Sequence, residues 1–127
     1  MVANQGAQVT ISQNLFDQNR ANVDAGALSV QYGSGGEVTR NTFTNNRASM
    51  ANGNSGAIKV YNLSNPIISQ NVIENNEAKD GGGIYVELLS APLIIGNSIR
   101  ANRSAQYGGG ISAVSYTHLT LPTSDLV

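Results

Sequence analysis

The sequence predicts an all-β solenoid of about four stacked coils, each made of three short strands that lie parallel to those of the next coil. Three observations predict it. A phrase headed by asparagine occurs four times, a second phrase headed by glycine follows each copy, and apolar residues within every unit alternate by two and never at helical spacing.

The first phrase is Asn14-Leu-Phe16-Asp-Gln-Asn19-Arg-Ala21, then Asn41 to Ala48, Asn71 to Ala78 and Asn97 to Ser104, with spacings of 27, 30 and 26 residues (41−14, 71−41, 97−71). The second is Gly26-Ala-Leu28-Ser-Val30, Gly56-Ala-Ile58-Lys-Val60, Gly82-Gly-Ile84-Tyr-Val86 and Gly109-Gly-Ile111-Ser-Ala113. From its last residue to the next leading asparagine the distance is always 11 (41−30, 71−60, 97−86), so length varies only between the phrases, where residues 49–55 form the longest insert. One side of each unit is rigidly specified, and one loop is free.

Taken along a unit, the first strand buries Ile11, Val38, Ile68 and Ile94, and Pro66 and Pro92 stand at its entrance, where proline is tolerated. The second buries Phe16, Phe43, Ile73 and Ile99. The third buries Leu28, Ile58, Ile84 and Ile111, with Val30, Val60, Val86 and Ala113 two positions on. Each column keeps one residue class, as identical positions directly above one another require. Strands about 4.8 Å apart then stack the columns, and since no coil can bury its own apolar residues, stability comes from stacking. The asparagines at 14, 41, 71 and 97 and at 19, 46, 76 and 102 are expected at corners, where asparagine tolerates left-handed backbone, with their amides bonded up and down the rod. Ala21, Ala48, Ala78 and Ser104 are small where the chain turns tightly, and the glycines supply positive φ or close backbone approach.

Composition agrees. Of 127 residues only 12% are charged and the net charge is −1, against roughly 25% charged in ordinary domains. Nucleic acid as a partner, a polybasic tail and a coiled coil are thereby excluded. There is no cysteine, hence no disulfide, thiolate metal site or cysteine nucleophile. The longest apolar stretch, residues 84–95, is interrupted by Glu87, Ser90 and Pro92, far short of the roughly 20 residues of a membrane span. The first residues lack the basic and apolar parts of an export signal, so any such signal is expected upstream.

Residues 1–8 read as the leading segment of a truncated coil, 9–113 as the repeats, and 114–127 as foreign. Val114 to Thr123 resembles a translated sequencing-library adapter: the codons GTC TCT TAT ACA CAT CTG ACG CTG CCG ACG read out as this stretch. Excluding it removes the single histidine, His118. Neither end shows a polar cap, so open strand edges and self-association are expected of the isolated chain.

The repeats resemble those of right-handed parallel β-helices, most closely the passenger repeats of polymorphic outer-membrane proteins, with their paired F-x-x-N and G-G-A-[ILV] motifs. Phe16-Asp-Gln-Asn19 and Phe43-Thr-Asn-Asn46 match the first motif, while the units at Asn76 and Asn102 carry Ile73 and Ile99 for phenylalanine. Gly26-Ala27-Leu28 and Gly56-Ala57-Ile58 match the end of the second, preceded by Ala25 and Ser55 in place of glycine; Gly82-Gly83-Ile84 and Gly109-Gly110-Ile111 put glycine for alanine. The resemblance covers residues 9–113. It implies a fragment of an exported, surface-exposed binding or adhesin-like scaffold, extended by flanking coils and meeting a polysaccharide or cell-surface ligand. The alternative is a fragment of a β-helical polysaccharide lyase or glycoside hydrolase whose catalytic coil lies outside this chain.

No catalytic, cofactor-binding or metal-binding set emerges from the residues. Asp17, Thr44, Glu74 and Arg100 form one outward column and Arg20, Arg47, Glu77 and Arg103 another; their mixed signs read as ion pairs on a solvated surface rather than as a two-acid site. The outward column of the glycine-led strand, Ser29, Lys59, Tyr85 and Ser112, flanked by Gln31, Tyr61 and Glu87, is more suggestive. Lys59, Tyr61, Tyr85 and Glu87 would form an exposed saccharide-contact face, the rings stacking on a sugar and the charges bonding its hydroxyls. Against this stands the plain preference of tyrosine for exposed strands. The glycine runs 33–36 and 81–83 lack the lysine and helix of a phosphate loop.

Overall fold

A computed structural model describes residues 1–114 and the backbone of Asp125 and Leu126. The chain winds through stacked coils, each placing one strand in each of several parallel sheets. The glycine-led sheet holds Val2–Ala3, Leu28–Gln31, Ile58–Tyr61, Ile84–Glu87 and Ile111–Ala113. The second holds Gln8–Ser12, Gly35–Thr39, Ile67–Ser69 and Leu93–Ile95, and the third Leu15–Asp17, Thr42–Thr44, Val72–Glu74 and Ser98–Arg100, joined by Asp125–Leu126. These are the three strands per coil that the spacing predicts. A shorter sheet of two-residue strands, Arg20–Ala21, Arg47–Ala48, Glu77–Ala78 and Arg103–Ser104, adds a further corner; two residues carry no alternation, so the sequence pattern did not announce it. The reading of 114–127 as foreign falls, beyond Val114 and that two-residue strand, outside the described residues.

Register follows the predicted columns. Ile11 pairs with Val38, Val38 with Ile68 and Ile68 with Ile94; Phe16 with Phe43, Phe43 with Ile73 and Ile73 with Ile99. Leu28, Ile58, Ile84 and Ile111 align in the same way. These side chains form one continuous core, with Phe16 stacked on Phe43 at 4.6 Å between ring centroids. Each fully buried aliphatic contributes roughly 1.5–3 kcal/mol.

The corners differ from the expectation in which residue turns. The left-handed residues are those before each ladder asparagine: Gln13, Arg40, Gln70 and Gly96 in one column, and Gln18, Asn45, Asn75 and Ala101 in the other. The ladder asparagines themselves are not left-handed. They are selected for their amides, which the neighbour's turn aims along the rod. The repeated glycines at 26, 56 and 82 likewise lack positive φ and serve close approach: a Cβ on Gly82 would lie 2.5 Å from Arg103 N and 2.6 Å from Gly109 O.

Another corner, after the glycine-led strands, uses two successive left-handed residues: Gln5-Gly6, Tyr32-Gly33, Asn62-Leu63 and Leu88-Leu89. Glycine fills the second place in the first two coils and leucine in the others. Leu63 has φ 62° and an exposed side chain, so it bears the steric cost without full burial in return. A left-handed L-residue costs about 1–2 kcal/mol, and glycine loses about 0.5–1 kcal/mol more entropy on folding. Leu63→Gly is therefore expected to raise stability by about 0.5–1 kcal/mol, read as a higher urea midpoint; a lower midpoint would show that the leucine contributes packing.

Candidate functional site

Within the rod, the leading asparagines are joined coil to coil. Asn41 donates from its backbone N and from Nδ2 to Asn71 Oδ1 (2.9 and 3.1 Å), and from Nδ2 also to Ile11 O at 2.9 Å. Asn71 repeats this toward Asn97 and Val38, and Asn14 donates to Asn41. The second column runs Asn19 to Asn46, Asn46 to Asn76 and Asn76 to Asn102, with the Nδ2 of Asn46, Asn76 and Asn102 reaching back to Phe16 O, Phe43 O and Ile73 O. An interior amide thus uses both protons and both lone pairs of its oxygen. A serine ladder accompanies them: Ala7 N donates to Ser34 Oγ, Ser34 N to Ser64 Oγ and Ser64 N to Ser90 Oγ, each at 3.2 Å. Its spacings, 30 and 26 (64−34, 90−64), are those of the repeats and could have revealed it.

The suggestive outer column is brought together but not left open. Lys59 pairs with Tyr85 across the sheet, and Tyr61 with Glu87. Lys59 and Tyr85, however, are each only 5% exposed, and Ser29 and Ser112 are also buried. This corrects the expectation of an exposed face. The chain between the two phrases folds back over the outer surface of the strands, stacked coil on coil by single bridges from Ala25 to Ser55 and from Ser55 to Gly81. Gly81 is part of that cover, since a Cβ there would lie 3.1 Å from Tyr85 Cβ.

One residue before each bridge stand Asp24, Asn54 and Asp80, a strip the apolar columns do not reveal, although its members recur at the repeat spacing (54−24 = 30, 80−54 = 26). Lys59 Nζ meets Asp24 Oδ1 at 2.6 Å and Asn54 Oδ1 at 3.0 Å, and sits 4.5 Å from the Tyr61 ring centroid. Asn54 Nδ2 donates to Asp80 Oδ2 at 3.1 Å. Burial, a hydrogen bond to Glu87 and the negative charges of Glu87 and Asp80 push the Tyr85 phenol well above its usual pKa. Asp80 Oδ1 is buried with no hydrogen-bond partner.

What remains accessible lies at the edge of this seam. Tyr32 is 48% exposed and packs edge-on to the half-buried Tyr61, ring centroids 5.7 Å apart. Gln31, Tyr61 and Glu87 share one register position beside the pair. The other outward columns hold ion pairs, Glu74 with Arg100 at 2.8 Å and Arg47 with Glu77 at 3.0 Å, both partly exposed and worth about 0–1 kcal/mol. Among the described residues no three His, Cys, Asp or Glu side chains are grouped to hold a metal, and no helix is long and apolar enough to cross a membrane.

No curated protein and no solved structure gives a match to this chain. The profile described as "right handed beta helix region" matches residues 1–124, nearly the whole length. With its parallel sheets, in-register columns and asparagine ladders, the chain belongs to the right-handed β-helix family.

Proposed function

We propose that this chain is a stretch of an exported, surface-exposed binding rod that contacts a saccharide at the Tyr32–Tyr61 edge. The observation that carries the reading is the aromatic pair itself: a ring 48% exposed and held edge-on by a second ring, beside Gln31 and Glu87. Such a ring offers an apolar face for the C–H side of a sugar, and the adjacent amide and carboxylate supply partners for its hydroxyls. The buried Lys59 supports the Tyr61 ring from 4.5 Å, and the buried Tyr85 bonds Glu87, neither touching ligand. Export is supported by the resemblance to passenger repeats and by the surface of Asn, Gly, Ser and Thr with few charges.

The test is binding of the full chain to an array of polysaccharides, followed by titration of the best ligand. Tyr32→Ala and Tyr61→Ser are each expected to weaken binding about tenfold, the equivalent of about 1.4 kcal/mol, while Glu74→Gln on another sheet leaves it unchanged. Binding to no glycan, or binding as tight as wild type by both tyrosine variants, would sink the reading.

A further inference from the structure

The cover over the glycine-led sheet places an amine, a carboxamide and two carboxylates in one chain of contacts. Lys59 Nζ donates to Asp24 Oδ1 and Asn54 Oδ1, Asn54 Nδ2 donates to Asp80 Oδ2, and Asp80 Oδ1 is buried and unpartnered. Lys59 and Asp80 are about 5% and 6% exposed and Asn54 between them is half-buried, so the amine and the relay carboxylate lie largely out of water. Coil stacking does not demand this arrangement. The positions aligned with Lys59 hold Ser29, Tyr85 and Ser112, so only one coil sets a lysine against an asparagine.

We propose that Lys59 and Asn54 join through an intramolecular isopeptide bond. An amine held 3.0 Å from a carboxamide oxygen lies beside the carbon it must attack, and fixed proximity of this kind replaces much of the entropic cost of amide exchange. Asp24 accepts one proton from the Lys59 ammonium across the 2.6 Å contact, freeing the nitrogen lone pair. The nitrogen attacks Asn54 Cγ; a C–N bond forms while the carbonyl π pair moves onto Oδ1. Asp80 takes a second proton from the attacking nitrogen and delivers it to the departing one, which its Oδ2 already touches, with its free Oδ1 available for the transfer. The Cγ–Nδ2 bond then breaks with its electron pair on nitrogen, the carbonyl re-forms, and ammonia leaves. The proton left on Asp24, whose side chain is 56% exposed, departs with it as ammonium. An ammonium and a carboxamide become an amide and an ammonium ion, with no oxidant or cofactor required. The product ties the longest insert, residues 49–55, onto the strand Ile58–Tyr61.

The test is mass spectrometry of the purified full chain. The intact mass is expected to be lower by one ammonia than the sequence requires. Trypsin is expected to spare Lys59, giving a peptide of residues 48–79 that yields no separated fragments between Asn54 and Lys59. Lys59→Arg keeps a cation for Asp24 but cannot form the bond, and is expected at its full sequence mass. Asp80→Asn is expected to bond roughly 100-fold more slowly or worse, followed as mass against time. A folded wild-type chain of full mass, cleaved after Lys59, overturns the proposal. So does an ammonia loss that persists in Lys59→Arg, which would assign it to a succinimide at the exposed Asn52, which precedes Gly53. Bond formation in Asp80→Asn at the wild-type rate overturns the proton relay. Should the variants fail to fold, the wild-type peptide map decides alone.

Discussion

Asn76→Ala is expected to be among the most destabilising single substitutions in this rod, although it removes no apolar surface. Asn76 Oδ1 accepts from both the backbone N and the Nδ2 of Asn46, and its Nδ2 donates to Phe43 O, all at 2.9 Å. Alanine removes the acceptor of Asn46 N and of one Asn46 Nδ2 proton, whose other proton stays on Phe16 O, and the side-chain donor to Phe43 O, in a site where Asn46 and Asn76 are wholly buried. Each orphaned buried group costs about 1–3 kcal/mol, so a loss of about 3–6 kcal/mol is expected, a large share of the stability of any small domain. Urea unfolding followed by far-ultraviolet circular dichroism measures it. Asn76→Asp separates the causes: it keeps the shape but puts an acceptor where Phe43 O needs a donor, and should be no better than alanine. Asn14→Ala, at an exposed position where Nδ2 bonds Ser12 O, is expected to cost about 1 kcal/mol or less. Equal losses at Asn14 and Asn76 would show that burial of the ladder is not what gives it weight.

Gly56→Ala adds one methyl and is expected to cost about 3 kcal/mol or more, at the upper end for overpacking. The new Cβ would fall well inside contact distance of Gly82 O, 2.6 Å from Glu77 N and 2.9 Å from Asn76 Cβ. Two of those neighbours are backbone of the next coil. Moving it breaks Gly56 N to Gly81 O at 2.9 Å, or Glu77 N to Asn46 O at 3.0 Å. Gly33→Ala is the control. It has φ +74° and open space about its Cβ position, so it meets only the left-handed penalty, about 1–2 kcal/mol. A thermal melt in which Gly33→Ala suffers more than Gly56→Ala would overturn the assignment of close approach to Gly56.

Much of this rod is legible in the chain because stacking turns sequence period into spatial adjacency. Phe16 lies on Phe43, and Lys59 beside Tyr85, once the repeats are aligned. The same alignment contains the serine ladder and the Asp24, Asn54, Asp80 strip, which emerge only when polar columns are followed as closely as apolar ones. Besides the sheet of two-residue strands, two features were not legible. The left-handed corner residues before the ladder are Gln, Arg, Asn, Gly and Ala, a mixture with no shared signal.

The other is the covering of the outer column. Alternation by two determines that Ser29, Lys59, Tyr85 and Ser112 point away from the core, and the sequence by itself determined this along with the coil number, the register and the inward columns. It cannot determine what lies over them. The covering chain is the stretch of variable length between the phrases, without alternation, and its path is decided by contacts that exist only after the coils have stacked: Asp24 with Lys59, Asn54 with Asp80, and Gly81 against Tyr85. An outward-pointing residue is therefore not yet an exposed one. The strand pattern fixes direction locally, whereas burial depends on which distant segment the tertiary structure lays on top.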